Sequence, residues 1–152
     1  MKKILLASLI VLLFAQCSQA GNKSTTETQT ADVAGSKHIT RSEFLTKVFD
    51  YTKDSKEMNF LGKKPVIVDF YATWCGPCRQ LSPLLEELAV EYKGKIDVYK
   101  IDTDKEKQLA QELGIQALPT VVFFPTKGKP IAIQGFRPKE DLKKIIDTQL
   151  LK

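Results

Sequence analysis

Histidine occurs once in the 152 residues, tryptophan once and cysteine three times. Each scarcity removes a class of chemistry. With His38 as the only imidazole, and far from either Cys75 or Cys78, a Cys–His protease is excluded, and His38 reads as a quiet strand-end residue. Structural zinc needs four ligands, and beyond Cys75 and Cys78 only Cys17 and His38 remain, so zinc is set aside. Charge of one sign is in only slight excess. Apart from Lys2 and Lys3, 21 basic residues face 18 acidic ones, and no basic stretch is interleaved with aromatics. That excludes nucleic acid as a partner. There is no internal repeat and no apolar run long enough to span a bilayer. Ile4 to Phe14 is apolar except for Ser8, and as a helix it would reach only about 16 Å, roughly half the hydrocarbon core.

What is present begins with that run. Lys2-Lys3 ahead of it form a positive n-region, so residues 1–20 read as an export signal. Two cleavage sites compete. Ser18-Gln19-Ala20 has small residues at the −3 and −1 positions, whereas Phe14-Ala15-Gln16-Cys17 resembles a lipoprotein box, with Phe14 and Gln16 where aliphatic and small residues are usual. The lipidated Cys17 is the preferred reading, because a cysteine closing a signal core rarely lacks a purpose. The expected location is therefore periplasmic or otherwise extracytoplasmic, with a lipid tether if Cys17 is modified. Residues 21–36 are polar, with Val33 the only sizeable apolar side chain, and are expected to be a flexible tether.

Residues 37–152 have the length and composition of one globular domain, expected to be a monomer. Thr40-Arg-Ser-Glu43 is a capping box ahead of Phe44, Leu45, Val48 and Phe49 at helical spacing. Tyr51 to Lys64 reads as a loop of unassigned purpose. Val66 to Tyr71 is a strand apolar on both faces. Cys75 to Tyr92 is a helical pattern interrupted by Pro83, which is expected to kink it, Lys95 to Ile101 a strand, and Asp104 to Leu113 a helix stopped by Gly114. Thr120–Phe124 and Lys129–Gln134 form a hairpin, and Pro138 opens a last helix with Leu142, Ile145, Ile146 and Leu150 as its buried stripe. The order β-α-β-α-β-α-β-β-α predicts an α/β fold, a mixed central sheet of about five strands flanked by helices on both faces.

The chemistry lies in Trp74-Cys-Gly-Pro-Cys78. A bridge closing a two-residue loop is a poor staple, so redox exchange is the better reading of this pair. Cys75 stands where a strand ends and a helix begins. Free backbone N–H groups and the positive helix end favour its thiolate, the attacking species. Cys78, nearly one turn on, faces inward as the resolving thiol. Pro77 suits a first turn, where its missing N–H is not needed.

Asp69-Phe-Tyr-Ala-Thr-Trp-Cys-Gly-Pro-Cys78, then Pro83 and Leu118-Pro119-Thr120, resemble the thioredoxin family in its WCGPC form, over roughly residues 38–152. The resemblance implies a thioredoxin fold and thiol–disulfide exchange that needs no cofactor beyond a Cys75–Cys78 disulfide. It implies that Asp69 is a buried carboxylate exchanging a proton with Cys78, where residue type alone also allows a solvent-facing strand position. Lys100 would be the lysine near that acid, against a plain surface lysine. Pro119 would be cis, would present the Leu118 backbone to a substrate chain and would keep metals off the cysteines. Trp74, Gly76, Pro77, Ala117, Leu118, Pro119 and Gly135 would form the docking surface; Trp74 as a core residue is the alternative. Phe136 and Arg137 depart from the family pattern.

Gly76-Pro77 between the cysteines resembles the reducing branch; oxidising and isomerising branches carry His beside the second cysteine. The expected substrates are disulfide-containing proteins, and the expected electron donor is a membrane electron-transfer reductase fed by cytoplasmic thioredoxin. The alternatives are a periplasmic oxidase or isomerase, suggested by the oxidising compartment, and a non-catalytic binding module on the same scaffold.

Overall fold

The computed structural model describes residues 35–53 and 60–152; the expected export signal, Cys17 and nearly all of the expected tether lie outside the described residues. In chain order the elements are β1 (Lys37–His38), α1 (Arg41–Lys47), β2 (Val66–Tyr71), α2 (Gly76–Glu91), β3 (Asp97–Asp102), α3 (Lys107–Glu112), β4 (Thr120–Phe124), β5 (Ile131–Gln134) and α4 (Lys139–Ile145), which runs on into a π-helical turn at Ile146–Leu150. The sheet order is β1-β3-β2-β4-β5. β2 pairs parallel with β3 and antiparallel with β4. The sheet is the mixed five-stranded one expected.

Side-chain alternation along β2 builds two cores. Ile67 turns to the face covered by Leu81, Leu85 and Leu88 of α2 and by Leu142, Ile146 and Leu150 at the C-terminal end. Val66, Val68 and Phe70 turn to the other face, against Phe44 of α1 and Leu109 of α3. Helices therefore cover both faces, and β2 is buried from Val66 to Phe70.

Local chemistry sets the element ends. Thr40 caps α1 in a full capping box: Glu43 N–H donates to Thr40 Oγ1 at 3.3 Å and Thr40 N–H to Glu43 Oε2 at 3.0 Å. α3 starts three residues later than the sequence suggests. Asp102 accepts Asp104 N–H on its carboxylate and the N–H groups of Lys105 and Glu106 on its carbonyl, which holds the chain in a turn. β3 starts at Asp97 rather than Lys95, because Gly94 (φ +83°) turns the chain and the N–H groups of Lys95 and Ile96 both go to the Tyr92 carbonyl. α2 is one helix through Pro83.

The loop after α1 is closed at its base. Phe49 and Phe60 form an antiparallel bridge, and Leu61 N–H donates to the Val48 carbonyl at 2.9 Å. Tyr51 hydroxyl donates to Glu112, which also takes Arg41 Nε at 2.8 Å and Gln108 Nε2 at 3.0 Å. Hydrogen bonds from Arg41 and Tyr51 hold the Glu112 carboxyl down to about 2. Ahead of β1, Ser36 donates its N–H to Glu86 Oε2 at 2.8 Å and its hydroxyl to Glu86 Oε1.

Leu85 is fully buried between α2 and the sheet. Leu85→Ala is expected to lower stability by about 2–5 kcal/mol, from lost burial plus the cavity left behind. Guanidinium unfolding of the two proteins checks it, and a loss below about 1 kcal/mol contradicts the packing described.

Candidate active site

β2 delivers the chain to the N-terminus of α2, and the turn between them is built from backbone groups. Cys75 N–H donates to the Ala72 carbonyl at 3.1 Å. Cys75 is the N-cap of α2 in extended conformation, and its Sγ accepts Cys78 N–H at 3.2 Å. Cys75 and Cys78 are bonded, with S–S 2.07 Å and Cα atoms 5.3 Å apart. Gly76 and Pro77 fill the first turn, where backbone N–H groups have no helical partner. Both cysteines are nearly covered, and they pack with Ala72 against Tyr71 and Leu118. They differ in what they face. Cys75 lines an open groove of about 430 Å³, and Cys78 does not.

That groove brings together Cys75, Trp74, Gly76, Pro77, Ala117 and Leu118. Pro119 and Gly135 lie outside its lining; Gly135 N–H donates to the Pro119 carbonyl at 2.8 Å, and Gly135 has φ +79°. The Leu118–Pro119 bond is cis. Trp74 is 68% exposed, which settles it as a surface residue and not a core one. Its indole N–H donates to Asp104 Oδ2 at 2.8 Å. Asp104 and the groove residues Thr103, Ala110, Ile115 and Gln116 carry no signal in the sequence beyond closeness to Leu118-Pro119 for the last two.

Asp69 lies on the same face of β2 as Ile67, and hence beneath α2, the helix that carries both cysteines. It is wholly buried, and neither carboxylate oxygen has a hydrogen-bond partner among the described residues. Burial pushes its carboxyl up to about 6; Lys100 pulls it down and Glu86 pushes it further up. Lys100 stands directly opposite Asp69 in the β2–β3 register and is only 8% exposed. Its Nζ donates to Ser82 Oγ at 2.8 Å, lies 3.9 Å from Glu86 Oε1 and sits 5.2 Å from the Tyr71 ring centroid. It is therefore no plain surface lysine. His38 Nδ1 is 3.3 Å from the Tyr71 hydroxyl, and burial, with Lys100 nearby, lowers its pKa. Among the described residues no group of three or more His, Cys, Asp or Glu stands where it could hold a metal.

A redox-active cysteine pair capping a helix that leaves the central strand of such a sheet, open to an apolar groove through one sulfur only, is the site of a thiol–disulfide oxidoreductase. The chain belongs to the thioredoxin family: the family model described as thioredoxin matches residues 46–148. It is 48% identical over 108 residues to a thioredoxin of Borreliella burgdorferi, covering 71% of this chain and 92% of that one. It is 40% identical over 107 residues to a thioredoxin of Staphylococcus aureus, covering 70% and 98%. Among solved structures it resembles chloroplastic thioredoxin z, with 32% identity, TM-score 0.60, and coverage of 77% of this chain and 96% of that one.

The raised Asp69 carboxyl makes a signed prediction. Its pKa is about 6 in the folded chain against an ordinary 3.8, so the folded state holds more protons than the unfolded one between those values. Stability must then fall as pH rises through that window, and the whole penalty stays in place above it. Asp69→Asn is expected to be more stable than the parent at pH 8 by on the order of 1–3 kcal/mol, with the advantage gone near pH 4. Guanidinium unfolding of the oxidised proteins at the two pH values checks this; equal stabilities at pH 8 would contradict it.

Proposed function

We propose that this chain reduces protein disulfides outside the cytoplasm, with Cys75 as nucleophile and Cys78 as resolving thiol. The exposure of Cys75 alone to the groove is the observation that carries the assignment of roles. The Cys75 thiolate, stabilised at the N-terminus of α2, attacks one sulfur of the substrate disulfide. A Cys75–substrate disulfide forms and the other substrate sulfur leaves as a thiolate, which takes a proton from solvent. Cys78 then gives its proton to the Asp69 carboxylate, which burial makes a competent acceptor. The Cys78 thiolate attacks Cys75 Sγ, closing the Cys75–Cys78 bond and releasing the second substrate thiolate. Two electrons have passed from the dithiol to the substrate. Lys100, opposite Asp69, moderates the charge that forms there.

The groove around Trp74, Gly76, Pro77, Ala117 and Leu118 receives an extended segment of the substrate, and the Leu118 backbone beside Pro119 offers strand-like pairing. Gly135, bonded to Pro119, borders the same surface. Gly76-Pro77 supports the reducing direction, since no histidine stands beside Cys78 to make the pair more oxidising. The extracytoplasmic location rests on Lys2-Lys3, the apolar run to Phe14 and the sites at Cys17 and Ala20. Such a location calls for a membrane electron-transfer reductase to recharge the dithiol.

Cys75→Ser is expected to drop insulin-disulfide reduction to the uncatalysed background, and Cys78→Ser to hold substrate proteins as mixed disulfides that a reductant releases on a non-reducing gel. Substantial turnover by the Cys75 variant would refute the assignment. Mass spectrometry of the mature chain from its own host is expected to find a diacylglyceryl modification at Cys17, or a free N-terminus at Gly21 if the small-residue site is used. An intact residue 1–20 segment on a cytoplasmic protein would overturn the export reading.

A further inference from the structure

Ser82 and Glu86 are one turn apart on α2, and both reach the Lys100 ammonium: Ser82 Oγ accepts it at 2.8 Å and Glu86 Oε1 stands 3.9 Å away. Lys100 thus lies between two carboxylates, with Asp69 opposite it in the sheet and Glu86 toward the outer surface of the helix. Glu86 is in turn gripped by a residue fifty positions earlier. Ser36 gives it a backbone N–H at 2.8 Å and a hydroxyl, one to each carboxylate oxygen. Two donors from one residue fix both the place and the orientation of that carboxylate.

We propose that Glu86 is a positioning residue for the buried acid: it draws the Lys100 ammonium away from Asp69, so keeping Asp69 able to take up a proton, and Ser36 holds Glu86 in place to do so. The inference rests on the reading in which Asp69 exchanges a proton with Cys78. A cation shared between two carboxylates cannot neutralise either fully, and Coulomb energy at these distances is large where water is excluded. Among the described residues, the charges that act on Asp69 are those of Lys100 and Glu86. β3 presents Lys100, α2 presents Glu86, and β4 presents only the apolar Val121 at the paired position. Tyr71, two residues along β2, has its hydroxyl pushed up by burial and by Asp102 and Asp69. Beyond them His38, Asp102 and Lys105 share the field of Lys100 and Glu86. Glu86 itself acts on Asp69 in the raising direction. Its side chain is 45% exposed, so solvent screens part of the effect.

The test is a site-resolved titration. Carbon-detected NMR of the Asp69 carboxyl in the oxidised full chain, with the His38 ring followed separately, gives the Asp69 midpoint in each variant. Glu86→Gln is expected to lower that midpoint by roughly half a unit to one unit, since the cation is freed toward Asp69 and the opposing charge is gone. Glu87→Gln, which removes the neighbouring charge that pairs with Lys139, is expected to leave it unchanged. Ser36→Ala is expected to lower it by less, and to add nothing in the Glu86→Gln background, because Ser36 acts only through Glu86. A midpoint that stays or rises in Glu86→Gln overturns the proposal, and so does a Ser36→Ala effect that is absent or additive. Disulfide reduction by Asp69→Asn, measured alongside, reports separately on whether the reaction uses Asp69. A moved midpoint with unaffected turnover in that variant would sink the proton-exchange reading while leaving the electrostatic link in place.

Discussion

A buried carboxylate, Asp69, has no hydrogen-bond partner among the described residues, and the register of β2 is what keeps it in the core. Burying such a group opposes folding, so a strand free to slip would expel it. β2 is not free to slip. Side chains alternate, so moving by one residue would exchange its two faces, pushing Phe70 toward α2 and Ile67 into the Phe44–Leu109 core. Both cores resist that exchange at once. Asp69 is thereby held beneath α2, Lys100 is brought opposite it on β3, and the chain leaves β2 aimed at the helix start where Cys75 must stand.

From that constraint the two electrostatic tasks of the site separate along one helix. At its N-terminus α2 offers unpartnered N–H groups and a positive end, which favour the charged form of a sulfur. On its flank it covers a buried, largely apolar region where the charged form of an acid is disfavoured, and Asp69 is raised to about 6. In the proposed mechanism one thiol is thus favoured as thiolate, and Asp69 is the acid that accepts the proton of the other. Environments that push neighbouring groups in opposite directions are the usual way a fold assigns acid and base roles. Lys100 tempers this arrangement. Bonded to Ser82 and near Glu86, it lowers the penalty on the Asp69 charge without cancelling it.

Features encoded within a few residues of one another were legible in the sequence. The Thr40–Glu43 capping box, the two-sided apolar run of β2, the Gly114 stop and the C-terminal stripe all depend on local spacing, and all stand where that spacing puts them. The cysteine pair was legible for the same reason. What escaped reading depends on how one element is rotated against another. Nothing about Asp104 foretells that it accepts the Trp74 indole from thirty residues away, nor that Glu112 ties down Tyr51 and Arg41. The late start of α3 is a closer case. Asp102 is a good turn former, yet its preference shows only once β3 has been paired far enough to place it at the strand end.

Glu86 and Glu112 make an instructive pair, since each is a surface carboxylate clasped by a residue from the N-terminal part of the domain. Glu112 lies on α3, whose Leu109 joins the core on the face away from Asp69, and its own carboxyl is held to about 2 by Arg41 and Tyr51. Its charge is spent where both partners are near solvent, so its consequence is mechanical: it closes the base of the loop after α1. Glu86 is clasped by an uncharged residue, Ser36, and stands 3.9 Å from the ammonium of the buried Lys100. That cation has a second claimant inside the protein. A charge on the helix surface can therefore reach the acid beneath the cysteines through a lysine shielded from solvent, whereas an equally well-bonded charge on the opposite face has no such path.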